Sequence, residues 1–263
     1  MSTFRVLCVA AGGGAGGTGD GSGGGGAGGF KDDAAIELVD FDEYVVTIGV
    51  GGLLNTSGYS GAVNKGGDTS LGTVIECEGG GYGGTNDEGQ RGGNGGSGGG
   101  GGADRGGSAI QGSGGTGVPG QGFNGGGSRD GNGASGGTPS RPDRGGAGGG
   151  ASQAGGDATT DPTRGGAGGA GQTSNITGTA VIYAGGGRGL PSGTNGAGQA
   201  NPGGGGDGDA GQDGILIVRY TRVNVPYTYT GGTITDVGGD RIHTFTSDGV
   251  FAPILPPIGA LML

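Results

Sequence analysis

The sequence predicts a mainly β protein with polyglycine II helices and essentially no α-helix, in which a small β-strand frame carries a glycine-rich bundle. Glycine supplies 84 of the 263 residues, and apolar, β-branched residues are confined to a few short stretches. No window shows a convincing 3.6-residue apolar period, and each internal glycine costs an α-helix about 1 kcal/mol relative to alanine. Only a small part of the chain can therefore build a side-chain core.

Several stretches have the apolar run or the alternation typical of β-strands. They are 4–11, 35–39, 44–50, 71–77, 180–184 and 215–220, followed by a predicted hairpin around Gly238-Gly239 and a last short strand at 249–251. These patterns divide the chain into five regions. We expect an N-terminal β-strand frame with glycine-rich loops at 1–77, a polyglycine II bundle at 78–213, a closing frame strand at 214–225, a C-terminal β-hairpin region at 226–251 and an apolar extended tail at 252–263.

The glycine-rich tract does not have the pattern of collagen or of a flexible linker. Collagen needs glycine at every third residue, and runs such as 12–14, 23–26 and 98–102 break that register. A linker has no reason to alternate glycine runs with clusters suited to turns. Such clusters recur at 82–91, 103–111, 118–130, 138–144, 157–164 and 188–202. We therefore expect extended three-residue-per-turn helices whose peptide groups bond laterally to neighbouring helices.

Charge and cysteine content exclude some classes of protein. The formal net charge is −10, so the positive field that attracts phosphate backbones is missing and no nucleic-acid partner is expected. Cys8 and Cys77 are too few for a disulfide framework, and we interpret them as small apolar strand residues. The apolar run at 6–11 is too short for a signal peptide or a membrane span. We expect folding in a cytoplasm and no membrane insertion.

Residue types that carry chemistry are scarce, and the sequence predicts neither an enzyme nor a cofactor or metal site. The single histidine, His243, lies in the hairpin pattern, where a structural or solvent-facing role is expected. Gly-x-Gly-x-x-Gly spacings carry no information in a chain so rich in glycine. The carboxylate pairs 32/33, 40/42 and 207/209 offer hard oxygen ligands for calcium, but solvated turn residues account for them better. The Asn175-Ile176-Thr177 triplet fits the pattern of an N-glycosylation site. Because no secretory signal is expected, we attribute this match to chance.

Four stretches resemble a known family. They are 6–14, 44–52, 214–220 and 242–251, and their residues and order are similar to those of the glycine-rich proteins of bacteriophage tails, common among marine phages. The glycine tract also resembles, in composition, the receptor-binding adhesins at the tail-fibre tips of T-even-type phages. In those adhesins polyglycine II helices form a sandwich, and the loops at one end contact the host surface.

The resemblance implies a virion structural protein that is made in the host cytoplasm and located in the phage particle. Within the particle, the tail is the expected location. The first hypothesis is a tail-fibre or receptor-binding adhesin whose partners are other virion proteins, copies of itself, and a host glycan or outer-membrane protein. The alternative is a capsid or tail decoration or connector protein with no host receptor. A third, minor hypothesis is an ice-binding protein, against which the irregular, charged interruptions argue.

Large side chains in a tract that otherwise avoids them are the candidates for receptor binding. They are Tyr82, Arg91, Ile110, Phe123, Arg129, Arg141, Arg164 and Arg188. The apolar tail supplies the candidates for contact with neighbouring subunits. These are Ile254, Leu255, Ile258, Leu261, Met262 and Leu263.

Overall fold

The computed structural model describes most of the chain as β-strands and extended segments, and contains no α-helix among the residues it describes. Those residues are 1–55, 64–86, 91–103, 111–130, 143–160, 163–197, 199–225 and 227–254. The strands are β1 (Ser2–Val9), β2 (Phe30–Leu38), β3 (Tyr44–Thr47), β4 (Thr69–Leu71), β5 (Ile75–Cys77), β6 (Gln172–Ser174), β7 (Val181–Tyr183), β8 (Ile215–Thr221), β9 (Tyr229–Thr230), β10 (Thr233–Val237), β11 (Asp240–Phe245) and β12 (Gly249–Pro253). Within the described part of the chain, no helix is long and apolar enough to cross a membrane.

Two five-stranded antiparallel sheets form a β-sandwich. Their strand orders are β10-β11-β8-β1-β2 and β5-β4-β3-β12-β9. The period-2 alternation of β1 places Phe4, Val6 and Cys8 in the core between the sheets. There the ring of Phe4 packs edge-on against Tyr229 and Phe251, with centroid distances of 5.3 and 5.8 Å. The sandwich therefore unites strands from both ends of the chain.

The other face of β1 and β8 is buried as well. Leu7, Val9 and Ile217 point away from the sandwich and contact Ile176 and Tyr183, which belong to the β6–β7 hairpin and its turn. Burial on both faces explains why β1 and β8 are continuous apolar runs rather than alternating ones.

Six strands of the sandwich continue directly into extended, glycine-rich stretches, which we call the glycine segments. Segments 10–16, 49–55 and 78–85 follow β1, β3 and β5, whereas 22–29, 64–68 and 209–214 precede β2, β4 and β8. The remaining segments are 91–95, 96–103, 111–118, 122–128, 144–151, 154–158, 164–171, 184–190, 193–197 and 203–207. These six glycine segments are thus direct continuations of the sandwich strands.

The glycine segments are held together by lateral backbone hydrogen bonds with a three-residue repeat. Segment 22–29 shows the pattern in full: successive residues donate in turn to segments 78–85, 144–151 and 203–207, and then the cycle begins again, at 2.7–3.0 Å. The donors to 78–85 are Gly23, Gly26 and Gly29, those to 144–151 are Gly24 and Ala27, and those to 203–207 are Gly25 and Gly28. The same segment accepts bonds from three others, 10–16, 96–103 and 184–190.

Four segments occupy the centre of this arrangement. Each of 10–16, 22–29, 96–103 and 144–151 is hydrogen-bonded to six other segments through its own donors and acceptors. Neighbours in sequence run antiparallel, as in the pairing of Ala10, Gly13 and Gly16 with Gly29, Gly26 and Gly23. Paired peptide groups take the place of an apolar core in this half of the molecule.

Close approach of the segments explains why glycine is needed. A Cβ on Gly148 would collide with the carbonyl oxygen of Gly25, and a Cβ on Gly25 would collide with that of Gly13. Alanine is accepted at some interior positions, such as Ala27 and Ala147, which are fully buried.

The strands expected at 4–11, 35–39, 44–50, 180–184 and 215–220 are found with shifted ends, and the hairpin at Gly238-Gly239 is confirmed as β10–β11. The stretch 71–77 is divided differently: Gly72, with a φ of 50°, begins a turn that separates β4 from β5. Strands β6 and β9 lack an alternating pattern and were not predicted. Ala252 and Pro253, placed in the tail from sequence, pair with β9 as part of β12.

Candidate functional site

The glycine segments end, away from the β-sandwich, in a set of turns that we call the distal end. Its described residues lie around 17–21, 86, 103, 129–130, 143–144, 159–160 with 163–164, 190–192 and 207–209. Contacts between remote parts of the chain show that these turns are neighbours. The side-chain amide of Asn86 donates to Asp20 O at 3.0 Å, Gly21 N donates to Leu190 O at 3.2 Å, and Ala103 N donates to Gly21 O at 2.8 Å.

Arg144 ties three of these turns together. It is only 3% exposed, and its guanidinium donates to Thr159 O at 2.9 Å and to Asp130 O at 3.0 Å. Its backbone exchanges two hydrogen bonds with Arg129, at 2.8 and 2.9 Å. A buried guanidinium that bonds to backbone carbonyls fixes the geometry of the turns around it. Sequence reasoning missed this residue, because nothing local separates it from the exposed arginines.

A second polar cluster surrounds Asp207. The carboxylate accepts a hydrogen bond from the Asn195 side chain at 2.7 Å and lies 3.6 Å from Nε of Arg188. The Asp209 carboxylate accepts from Asp207 N at 3.0 Å. The pair 207/209 therefore organises a turn, and no group of acidic, histidine or cysteine side chains suited to a metal occurs among the described residues.

A third cluster lies on the sandwich. Arg5 binds both oxygens of Asp32 at 2.8 and 2.7 Å, and Ser174 donates to Asp32 at 2.6 Å. Burial opposes ionisation of Asp32, but the hydrogen bonds from Arg5 and Ser174 outweigh it and hold the pKa of this carboxyl below its usual range. Arg5 also donates to Asn175 at 2.8 Å. This ion pair fastens the β6–β7 hairpin to the sheet.

Arg219 forms a cluster equivalent to that of Arg5 and Asp32. Arg219, directly opposite Arg5 in the β1–β8 register, donates to Asp240 at 2.8 and 2.6 Å and to Ile176 O at 3.0 Å. Hydrogen bonds from Thr221 and Arg219 lower the pKa of Asp240. These residues serve the architecture of the sandwich and lie far from the distal end.

Sequence comparison agrees with the dominance of glycine segments in the fold. The chain belongs to the glycine-rich domain family. The match covers residues 1–221, which span β1 to β8 and all the glycine segments. No curated protein and no solved structure is detectably similar to the chain. Strands β9 to β12 lie beyond the matched region and complete both sheets of the sandwich.

The structure places some of the described receptor-binding candidates at the distal end and others away from it. Arg91, Arg129 and Arg164 are exposed and lie at or next to the distal end, and Arg188 is half-buried beside Asp207. Phe123 is 46% exposed but lies near the sandwich, where the adjacent turn bonds through Gln121 O to Phe30 N at 3.0 Å. Tyr82 is half-buried within a glycine segment, its ring against Gly93. Ile110 and Arg141 lie outside the described residues.

Among the assembly candidates, only Ile254 is described. It is 56% exposed and donates its N–H to Thr228 O at 2.7 Å. Leu255, Ile258, Leu261, Met262 and Leu263 lie outside the described residues. Ile254 is at the end of the sandwich opposite the glycine segments, which we call the basal end. Other exposed apolar residues there are Met1, Val39, Phe41 and Val223.

His243 is a buried ring rather than an exposed one. It stacks on Tyr220 with a centroid distance of 5.8 Å, and its Nδ1 lies 2.8 Å from Gly231 O. Burial lowers the pKa of this imidazole, which favours the neutral ring. The surroundings are aromatic, including Phe251 at 5.1 Å.

Proposed function

We propose that this glycine-rich domain is a bacteriophage virion protein, a tail-fibre or receptor-binding adhesin that presents loops on a polyglycine II scaffold. The proposal rests on one observation: turns from eight separate parts of the chain converge at the distal end of a laterally hydrogen-bonded bundle. Loops held on a rigid scaffold are the usual place for recognition.

The three-residue hydrogen-bond repeat supports polyglycine II helices as the scaffold. A helix with three residues per turn points every third peptide group in the same direction, so successive donors address three neighbours in rotation. Segments 10–16 and 22–29 follow this rule. Such a bundle is stiff because displacing one of the four central segments breaks bonds to six others.

The composition of the distal loops supports binding to a polar host surface. Arg91, Arg129 and Arg164 provide exposed guanidinium groups on a chain whose formal net charge is −10. Guanidinium groups donate several hydrogen bonds in a fixed geometry, which suits phosphorylated or acidic glycans and the acidic loops of outer-membrane proteins. A host glycan or an outer-membrane protein is therefore the proposed receptor.

Grouped substitution tests this proposal. The triple variant Arg91→Ser, Arg129→Ser, Arg164→Ser should reduce adsorption of assembled particles to host cells at least tenfold. Arg222→Ser is the matched control, because this exposed arginine lies at the basal end. Equal adsorption by the triple variant, the control and the wild type would reject a receptor role for these residues.

A decoration or connector protein is the second candidate, and the basal end favours it. Phe41 is 52% exposed and has a φ of 73°, and its ring lies 4.4 Å from the Tyr227 ring, tilted by 52°. An exposed aromatic ring in a strained backbone conformation is typical of a contact surface. Cryo-electron microscopy of intact particles separates the two: tail-tip density supports the adhesin, and density on the capsid or within the tail tube supports the connector.

A further inference from the structure

The two cysteines meet where the β-sandwich passes into the glycine segments. Cys8 lies near the end of β1 and Cys77 ends β5, so they belong to different sheets, and both are free and fully buried. The Cys77 thiol donates to Cys8 O at 3.1 Å, and the Cys8 thiol donates to Thr69 O at 3.2 Å. Thr69 is the cross-strand partner of Cys77. The Cys77 thiol therefore faces the backbone of Cys8, and the Cys8 thiol faces the backbone of the strand next to Cys77.

The two sheets converge at this level. Facing sheets ordinarily lie about 10 Å apart, but three residues beyond the cysteines the backbones bond directly, with Gly80 N donating to Ala11 O at 2.8 Å. A disulfide requires Cα atoms roughly 4.4–6.8 Å apart. Directly bonded backbones lie about 4.8 Å apart, which is within that range. Cys8 and Cys77 occupy the transition from the ordinary sandwich spacing to this close approach.

We propose that Cys8 and Cys77 form an intramolecular disulfide that covalently joins the two sheets at the base of the glycine segments. With glutathione disulfide as oxidant, one cysteine thiolate attacks it, forms a mixed disulfide and releases one glutathione. The second cysteine thiolate then displaces the other glutathione and forms the Cys8–Cys77 bond. Two protons and two electrons are transferred from the cysteines, and one glutathione disulfide becomes two glutathione molecules.

The reduced pair is expected to persist for a long time in the folded protein. A hydrogen bond with Cys77, together with burial, raises the pKa of the Cys8 thiol well above its usual range, so little of the reactive thiolate is present. Both thiols are shielded from solvent, and an oxidant gains access only when the junction opens. The protein can thus fold with free thiols and acquire the bond later, in an oxidising medium.

The bond would close a loop whose ends are 69 residues apart in sequence. Closing a loop of that length restricts the unfolded chain, and the melting temperature should rise by about 5–15 °C. The gain should disappear on addition of dithiothreitol.

Equilibration of the purified full chain in glutathione redox buffer at pH 8.5, both folded and during refolding from urea, tests the proposal. We expect the intact mass to fall by two hydrogens, both thiols to resist alkylation after unfolding, and the melting temperature to rise. The single variants Cys8→Ala and Cys77→Ala, which each retain one thiol, should show no such rise in the same buffer. Thiols that remain fully alkylatable after refolding in oxidised glutathione, a glutathione adduct on a single cysteine, or a disulfide between two chains would overturn it.

Discussion

Replacing a single glycine of the central segments should cost about as much stability as truncating a large core side chain does in other proteins. At Gly148, any Cβ would meet the carbonyl oxygen of Gly25, a backbone atom that cannot rotate away. Gly148→Val should therefore destabilise the fold by about 3 kcal/mol or more, at or beyond the upper end of the usual range for overpacking. Urea unfolding followed by circular dichroism measures the loss.

Gly239→Val is the matched control for that change. Gly239 lies in the β10–β11 turn, has open space where a Cβ would be placed and does not have a positive φ. Its substitution should change the free energy of unfolding by less than about 0.5 kcal/mol, as surface changes usually do. Equal tolerance at both positions would contradict the close packing of the glycine segments.

His243 should make the stability depend on pH. Burial lowers its pKa in the folded protein, so below the ordinary histidine value near 6.5 the unfolded chain binds a proton that the folded chain does not. The stabilisation is therefore present above about pH 6.5 and decreases as the pH falls, by at most about 1.4 kcal/mol per pH unit. The pKa values of Asp32 and Asp240 are also lowered in the folded protein. The stability that these two carboxylates add is lost only at more acidic pH, where they become protonated.

Urea unfolding at pH 7, 6 and 5 checks this dependence, with His243→Gln as the comparison. The variant retains a donor near Gly231 O but does not titrate, so its stability should change little between pH 7 and 5. If wild type and variant lose stability in parallel, the proton uptake belongs to another group.

At the level of elements, the glycine segments should differ in protection according to their position. Central segments such as 22–29 and 144–151 have their peptide groups bonded on every side, and their amides exchange only when several segments open together. Hydrogen exchange with mass spectrometry should therefore show slow exchange in these segments. Exchange should be faster in 193–197, a segment at the surface of the bundle with exposed residues. Complete exchange of the central segments within seconds would indicate a flexible linker instead.

The strands were largely predictable from sequence, and the arrangement of the glycine segments was not. The local composition of a run such as 215–220 indicates a buried strand, and Gly238-Gly239 indicates the turn of the β10–β11 hairpin. By contrast, the partner of Gly24 is Gly146, more than a hundred residues away, and no side chain identifies it. The end clusters were predicted as turns, but only the fold separates exposed Arg129 from buried Arg144 and places Phe123 near the sandwich.

The whole molecule has two chemically different ends, which the β-sandwich and the glycine segments join. The distal end carries polar turns, whereas the basal end carries exposed apolar side chains and Ile254, the residue that precedes the apolar stretch 255–263 in sequence. A protein that fixes itself to a particle at one end and recognises a surface at the other needs this division. The basal end should therefore attach the chain to a partner subunit or to copies of itself.

Removal of residues 255–263 tests the attachment. The deletion leaves β12 and its pairing with β9 intact, so the melting temperature should stay within about 2 °C of the wild type while incorporation into particles is lost. The full-length variant Leu255→Ser, Ile258→Ser, Leu261→Ser is the control for length, and it should fail in the same way because each buried apolar side chain contributes roughly 1.5–3 kcal/mol to a contact. A truncated chain that does not fold would mean that the tail completes its own sandwich, and normal incorporation of either variant would show that attachment depends on another surface.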